Sequence, residues 1–433
     1  MEVNKMLTKQ CNETDMELFA VNPVEFVSKL REEYETMVNV KMNEREFLFV
    51  FEPDYIKKIL DGHNTSRTRF SKIFARLAGG SLFLTGGEKW RNQRKMFAPF
   101  LGKSRIDINA VYNIAEKVVE NWHDACKNAE IINARESITL FCMEVLSLIV
   151  YGKNEKQETL KYINDNWNLA LTYLTEITGQ SSENALESIA KFEETCKKID
   201  EAIYEIIDEK INSDEKGNDF LSCLINYENS KNGEKIDRSE IMIQIRGLYL
   251  AGFETISGAL SWFIYDLSAN LDVQEKLRNE IEVFSNNVLD DTGYMKLCFD
   301  ETLRLHPSLV FVDRKLDEDI DLGNVALKKG TEVLISPYIV HRDTKYWENP
   351  QIYNPERFIA YNSQHNKKYT YFPYGGGHRK CMGGFLSVIE RNILMEVILK
   401  RFSFELEIDS PVHEDIILVL RPDKVNIKLK ELI

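Results

Sequence analysis

No CxxC pair, apolar N-terminal run, internal repeat or low-complexity linker occurs in this chain of 433 residues. Its seven cysteines, Cys11, Cys126, Cys142, Cys196, Cys223, Cys298 and Cys381, are scattered and odd in number. That excludes a disulfide framework and a cysteine zinc site, and suits a reducing, cytoplasmic compartment. The N-terminal stretch MEVNKMLTKQCNETDMELF is polar, so neither a signal peptide nor an N-terminal membrane anchor is expected. Positive charge is in short supply: Lys plus Arg number 55 against 69 Asp plus Glu, a formal charge of −14. Such a surface repels phosphate backbones, so no nucleic-acid partner is expected. The run from Gly247 to Leu267 approaches the ~20 apolar residues of a membrane span, but Glu254 lies inside it. It reads instead as a helix through the middle of a soluble protein.

With 43% hydrophobic and 29% charged residues, the composition is that of a globular protein. Residues 36–52 are rich in β-branched and aromatic side chains and broken at Asn43-Glu44, which predicts a hairpin. Helical periodicity dominates from about 54 to 306, most clearly over 138–151, 187–212 and 237–270. The last of these opens on Asp237-x-x-Glu240, a capping-box pattern. Loops are expected at 179–184 and 212–219. Beyond about 307, prolines and short β-rich runs such as 331–335 signal irregular chain. A helix follows from about Gly384 to Arg401, then strand-like alternation over 416–429. With no compositional break, the expectation is one domain over 1–433, mainly α with small β-sheets.

The segment that carries chemistry is Phe372-Pro-Tyr-Gly-Gly-Gly-His-Arg-Lys-Cys-Met-Gly-Gly384. Glycines let a backbone turn tightly and lie against a flat ligand. Cys381 stands before a helix N-terminus, beside His378, Arg379 and Lys380, and both features favour a thiolate. Such a thiolate serves as a nucleophile or as a soft metal ligand. A phosphate loop is excluded, since the GK[ST] ending and the preceding strand are missing. Further along, Glu301-Thr-Leu-Arg304 places Glu and Arg on one helix face. Glu88/Arg91 and Glu275/Arg278 share that spacing and read as surface pairs. His341-Arg342-Asp343 is not a kinase loop, because no DFG or downstream Asn accompanies it.

Together these motifs resemble the cytochrome P450 family, the haem-thiolate monooxygenases, in a soluble bacterial-type form. The family's loop, aromatic-Gly-x-Gly-x-Arg-x-Cys-x-Gly, is met by Tyr374, Gly375, Gly377, Arg379, Cys381 and Gly383, with Tyr374 where Phe is usual. The ExxR motif and Asn354-Pro355-Glu356-Arg357-Phe358 follow the family's order, as does the HRD-x-x-x-Trp pattern. The resemblance implies a P450 fold, with haem b between a long central helix and the Cys381 loop. It implies Cys381 as iron ligand, with Arg379, Trp90 and Arg94 on the propionates. It also implies a buried Glu301–Arg304–Arg357 network. Ala251, Glu254 and Thr255 fall where the family places its acid–alcohol pair over the distal face, with Glu254 relaying protons from solvent. Phe83, Leu250, Phe253, Leu309, Val310 and Phe311 are expected to line a pocket for a lipophilic substrate such as a fatty acid, terpenoid or steroid. The implied reaction is hydroxylation or epoxidation with O2. Its electrons would come from a ferredoxin or flavodoxin-type donor and its reductase, docking on Lys89, Arg91, Lys95, His378 and Lys380. The alternatives are a peroxide-driven oxygenase, a reductase-independent isomerase or dehydratase, and a haem-binding sensor.

Overall fold

A computed structural model describes residues 7–432 apart from 63–64, 68–74, 103–105, 153–156, 180–184, 214–216, 218, 228–234, 284–287, 364–368 and 417–418. Most of the two expected loops lies outside the described residues. Strand β1 (Thr8–Gln10) and helices α1 (Glu13–Val21) and α2 (Pro23–Glu33) open the chain. The predicted hairpin follows as β2 (Met37–Met42) and β3 (Arg45–Val50). Asn43 turns it with φ 54°, a conformation Asn tolerates. Then come α3 (Pro53–Asp61), β4 (Thr65–Ser66), α4 (Ala75–Ala78), α5 (Gly87–Phe97), α6 (Ile108–Lys127) and β5 (Ile132–Asn133). The helical body continues with α7 (Ala134–Tyr151), α8 (Gln157–Gly179), α9 (Ala185–Asn212) and α10 (Phe220–Asn226). It closes with α11 (Arg238–Gly252), α12 (Glu254–Ala269), α13 (Leu271–Val283) and α14 (Gly293–Leu305).

The last third alternates short pieces: β6 (Val312–Leu316), β7 (Ile320–Asp321), β8 (Ala326–Leu327), β9 (Glu332–Ile335), α15 (Pro337–Val340) and α16 (Arg357–Ser363). Helix α17 (Gly384–Leu399) and strands β10 (Phe402–Leu406), β11 (Glu414–Ile416), β12 (Leu420–Pro422) and β13 (Asn426–Glu431) end the fold. The largest sheet has the order β1-β2-β3-β9-β6-β4, so the N-terminal hairpin is extended by strands from beyond residue 311. β10-β13-β5 form a second sheet, and β11-β12 and β7-β8 form two-stranded pairs. The main core runs from Leu77 to Ile427 and packs helices from every part of the body around α7, α12 and α17.

One expected helix, over 237–270, is two. Asp237 caps α11 by accepting the Glu240 N–H at 2.8 Å. The reciprocal half of the capping box is absent, because the Glu240 carboxylate accepts from Gln244 at 2.8 Å. The break falls at Phe253. At the break the Thr255 hydroxyl donates to the Ala251 carbonyl at 2.9 Å. The Thr255 carbonyl in turn accepts from the Ser308 hydroxyl at 3.1 Å. Phe253 locks the break by full burial, edge-on to Trp167 of α8 and Tyr249 of α11. Phe253→Ala is expected to cost about 3–5 kcal/mol of stability, as for other buried aromatic truncations. Urea unfolding would measure that loss, and an unchanged midpoint would contradict the packing role.

Candidate functional site: the cysteine loop and the charges around it

The Cys381 loop is positioned by hydrogen bonds from both sides. The Cys381 N–H donates to the Tyr374 carbonyl at 2.9 Å, and the Gly375 N–H donates to the Phe372 carbonyl at 2.9 Å. The Phe372 N–H donates to His341 Nε2 at 3.0 Å. His341 is fully buried, and burial together with Arg304 and Arg342 holds its imidazole well below the usual histidine range, hence neutral. The three central glycines do different work. A Cβ on Gly375 (φ 69°) would meet nothing, so this residue borders open space. A Cβ on Gly377 (φ 64°) would overlap the Leu60 carbonyl, and one on Gly376 would overlap the Tyr369 ring. Gly376 and Gly377 are thus required by protein packing, and Gly375 alone leaves room for a ligand.

Cys381 is set deep in the protein, yet it is the one exposed cysteine of the seven. Burial pushes the thiol pKa up. The Gly383 and Gly384 N–H groups at the start of α17, with Arg94 and Lys380, oppose that shift but do not overcome it. The expected thiolate is therefore not what the loop alone produces, because desolvation outweighs the dipole and the cations. A metal on the sulfur deprotonates it outright. The Tyr374 hydroxyl is shared with Ser387 Oγ at 3.0 Å, and burial raises its pKa to about 12.

Beside the loop the structure concentrates positive charge. Arg67, Arg314 and Arg379 lie within electrostatic reach of one another, with Asp313 among them. Arg314 is fully buried, and burial with Arg67 and Arg379 pushes it down to about 9. Arg379 falls to about 10, through burial first and then Arg67 and Arg94. Arg379 donates to the Thr65 carbonyl at 3.1 Å and the Thr85 carbonyl at 3.0 Å. Arg67 Nη1 reaches Asp313 Oδ1 at 2.7 Å, while Nε of Arg67 and Nε of Arg314 are buried without a hydrogen-bond partner. Trp90 and Arg94 join from α5: Arg94 donates to the Lys380 carbonyl at 2.9 Å, and the Arg379 guanidinium sits 4.6 Å from the Trp90 ring centroid. His378 meets that ring edge-on at 5.2 Å. Surplus buried cations with orphaned N–H groups require anions, and the two propionates of a haem fit. Arg67 and Arg314 escaped the sequence reading. Arg314 carried one cue: strand alternation puts it on the same face as Val312 and Leu316.

Glu301, Arg304 and Arg357 come together as expected. Arg304 holds Glu301 with two bonds, Nε–Oε2 at 2.7 Å and Nη2–Oε1 at 2.9 Å. Arg357 Nε adds a third at 2.8 Å and the Asn354 N–H a fourth at 2.9 Å. Arg304 also donates to the carbonyls of His341 at 3.0 Å and Pro350 at 2.7 Å. Glu275/Arg278, with the same spacing, is not an ion pair: Arg278 donates to Gln274 Oε1 and the Leu399 carbonyl. On the distal side Ala251 is exposed and Thr255 partly so, whereas Leu250 and Phe253 belong to the core. Val310 is buried, and Phe311 packs edge-on against Phe49 of the N-terminal sheet, away from the expected lining. Phe83, under the Arg67 guanidinium, and Leu309 are half-buried. Glu254 does not reach solvent directly. It is 2% exposed and ion-paired to Arg421 of β12.

Two outcomes test the network. Arg304→Met strands the Glu301 carboxylate and is expected to cost about 3–5 kcal/mol in denaturant unfolding. His341 has a lowered folded pKa, so its contribution is complete above the unfolded value of about 6.5 and is lost as pH falls below it. Stability of the native chain minus that of His341→Gln should therefore decline by about 1.4 kcal/mol per pH unit below about 6.5. A flat difference between pH 7 and 5 would show that the imidazole is not held neutral.

Comparison with known proteins agrees with this geometry. The family model for Cytochrome P450 matches residues 15–429. Cytochrome P450 4V2 of Mus musculus is 29% identical over 81% of this chain and 74% of its own length. Cytochrome P450 3A14 of Cavia porcellus is 25% identical over 88% and 81%. Cytochrome P450 4V2 of Homo sapiens is 28% identical over 81% and 74%. With nearly the whole chain matched by the family model, this protein belongs to the cytochrome P450 family, haem-dependent monooxygenases.

Proposed function

We propose that the chain acts as one catalytic unit that inserts a single oxygen atom from O2 into a lipophilic small molecule, by hydroxylation or epoxidation. The observation that carries this reading is the exposure of Cys381 inside a protein whose other cysteines are buried or half-buried. Bound haem supplies O2 activation at a thiolate-ligated iron. Cys381 Sγ would hold the iron, with the Gly383 and Gly384 N–H groups directed at the sulfur. Arg67, Arg314 and Arg379, with Trp90 and Arg94, would hold the propionates. Ala251 and Thr255 would border the oxygen-binding face, where the Thr255 hydroxyl passes a proton. The Glu301–Arg304–Arg357 cluster positions the loop and takes no part in the reaction. Among the pocket candidates Phe83, Leu309 and Phe311 are half-buried, with Phe311 turned to the N-terminal sheet, and apolar walls suit a fatty acid, terpenoid or steroid.

Electrons would come from a separate ferredoxin or flavodoxin-type donor. Arg91, Lys95 and Lys380 are exposed and suit an acidic partner. Lys89 is engaged with Glu240, and His378 packs on Trp90, so both contribute less. Among the described residues no helix is long and apolar enough to cross a membrane.

The test is a carbon monoxide difference spectrum of the reduced protein. A strongly red-shifted Soret band in wild type, lost in Cys381→Ala, is the expected result. A wild-type band without the thiolate shift would overturn the assignment of Cys381. Product formation driven by peroxide but not by reductant would favour the peroxide-driven oxygenase instead.

A further inference from the structure

Tyr374 stands where the family's loop usually has Phe, and oxygen insertion gives its hydroxyl no task. Other oxidisable rings continue from it. Tyr371 lies within electrostatic reach of Tyr374. Its ring centroid is 6.0 Å from that of Tyr361 in α16 and 6.4 Å from that of Trp347. Tyr361 stacks on Trp347 at 5.1 Å and is half-buried, so the row ends at the surface. Its inner end is fixed to the cysteine, since the Tyr374 carbonyl accepts the Cys381 N–H at 2.9 Å. A row of packed rings is in most cores a packing device. What sets this one apart is its proton chemistry. A phenol loses its proton when it gives up an electron, so it gives one up easily only beside a base. Tyr374 has no base among its hydrogen-bond partners. Ser387 Oγ, 3.0 Å from its hydroxyl, itself donates to the Gly384 carbonyl at 2.8 Å and cannot keep a second proton. Tyr371 does have a base: its hydroxyl donates to Asp300 Oδ1 at 3.0 Å. Asp300 is buried, and burial pushes its carboxyl above the usual range while Lys296, paired through Oδ2, opposes. Trp347 is a poorer site. The Arg304 guanidinium, 5.3 Å from its ring centroid, repels the charge of an oxidised indole, and Trp347 Nε1 is buried with no partner to take its proton.

We propose that Tyr371 and Asp300 form a proton-coupled electron donor that protects the site when no substrate takes up the oxidising equivalent. One electron passes from Tyr371, by way of Tyr374, to the oxidised haem centre. The phenol proton passes to the Asp300 carboxylate, and a neutral tyrosyl radical remains. An electron from a one-electron reductant in solution, such as ascorbate, then arrives through Tyr361, and the proton returns from Asp300 to the Tyr371 oxygen. Each cycle removes one oxidising equivalent and consumes one electron. The inference rests on the haem-thiolate reading, and the two fail in different ways.

The experiment treats haem-loaded protein, without substrate, with hydrogen peroxide and freezes it for electron paramagnetic resonance. Wild type should show a radical whose splitting collapses when the protein carries ring-deuterated tyrosine. Tyr371→Phe should lose that signal and bleach its haem faster. Asp300→Asn, which keeps the ring in place, should lower the signal, and it serves if Tyr371→Phe does not load haem. Tyr369→Phe, which removes a neighbouring phenol bonded to Asp61, should keep the signal. Ascorbate should quench wild type faster than Tyr361→Phe. The carbon monoxide band is recorded for every variant. An unchanged radical in Tyr371→Phe, a signal that follows Tyr369, or no tyrosine radical in a wild type with the red-shifted band overturns the proposal and leaves the rings as packing. Absence of that band from wild type would overturn the haem-thiolate reading instead.

Discussion

The Glu301 carboxylate is the point on which the proximal half of this molecule depends. It is completely buried and accepts from Arg304, Arg357 and the Asn354 N–H. Burying a charge is costly unless its lone pairs find donors, and here the donors come from two separate stretches of chain, Arg304 and the Asn354–Arg357 segment. Each donor brings more with it. Arg304 gathers the carbonyls of His341 and Pro350, and Arg357 gathers those of Glu348 and Ile352. His341 then accepts the Phe372 N–H, and the Phe372 carbonyl fixes Gly375. A chain of hydrogen bonds therefore leads from one buried acid to the loop that presents Cys381. Rigidity at the cysteine is a consequence of charge compensation about eighty residues earlier in sequence.

The distal side obeys a different constraint. Two helices meet at Phe253, whose ring has a core site between Trp167 and Tyr249, and the Thr255 hydroxyl bonds the Ala251 carbonyl across the junction. The break leaves Ala251 and Thr255 with open surface, while Glu254 turns to Arg421. The exposed alcohol and the captured acid are adjacent in sequence and yet belong to different surroundings. Proximal and distal sides also differ in how they treat surplus charge. Arg421 has its carboxylates in place, whereas Arg67, Arg314 and Arg379 outnumber theirs.

Much of the architecture was legible in the sequence. Alternation and Asn43 marked the hairpin, and apolar periodicity marked α7, α9 and α17. The order of Trp90, Glu301, Arg357 and Cys381 marked the cysteine loop and its supporting network. The long helix over 237–270 was misjudged because the apolar pattern runs on through Phe253, where the backbone breaks. Three pocket candidates, Leu250, Phe253 and Phe311, proved to be packing residues. An apolar residue looks the same in a string whether it faces a ligand or another ring.

By itself, the sequence determined the elements, the loop chemistry and the pairs whose spacing is local, since these follow from backbone geometry within a few residues. Tertiary structure alone decided that Arg314 and Arg67 converge on Arg379, and that Glu254 is held by a residue 167 positions away. It also decided that burial outweighs the neighbouring cations at Cys381. Those outcomes depend on which groups share a small volume shielded from water. There, Coulomb attraction and desolvation grow together, and only the folded chain sets their balance.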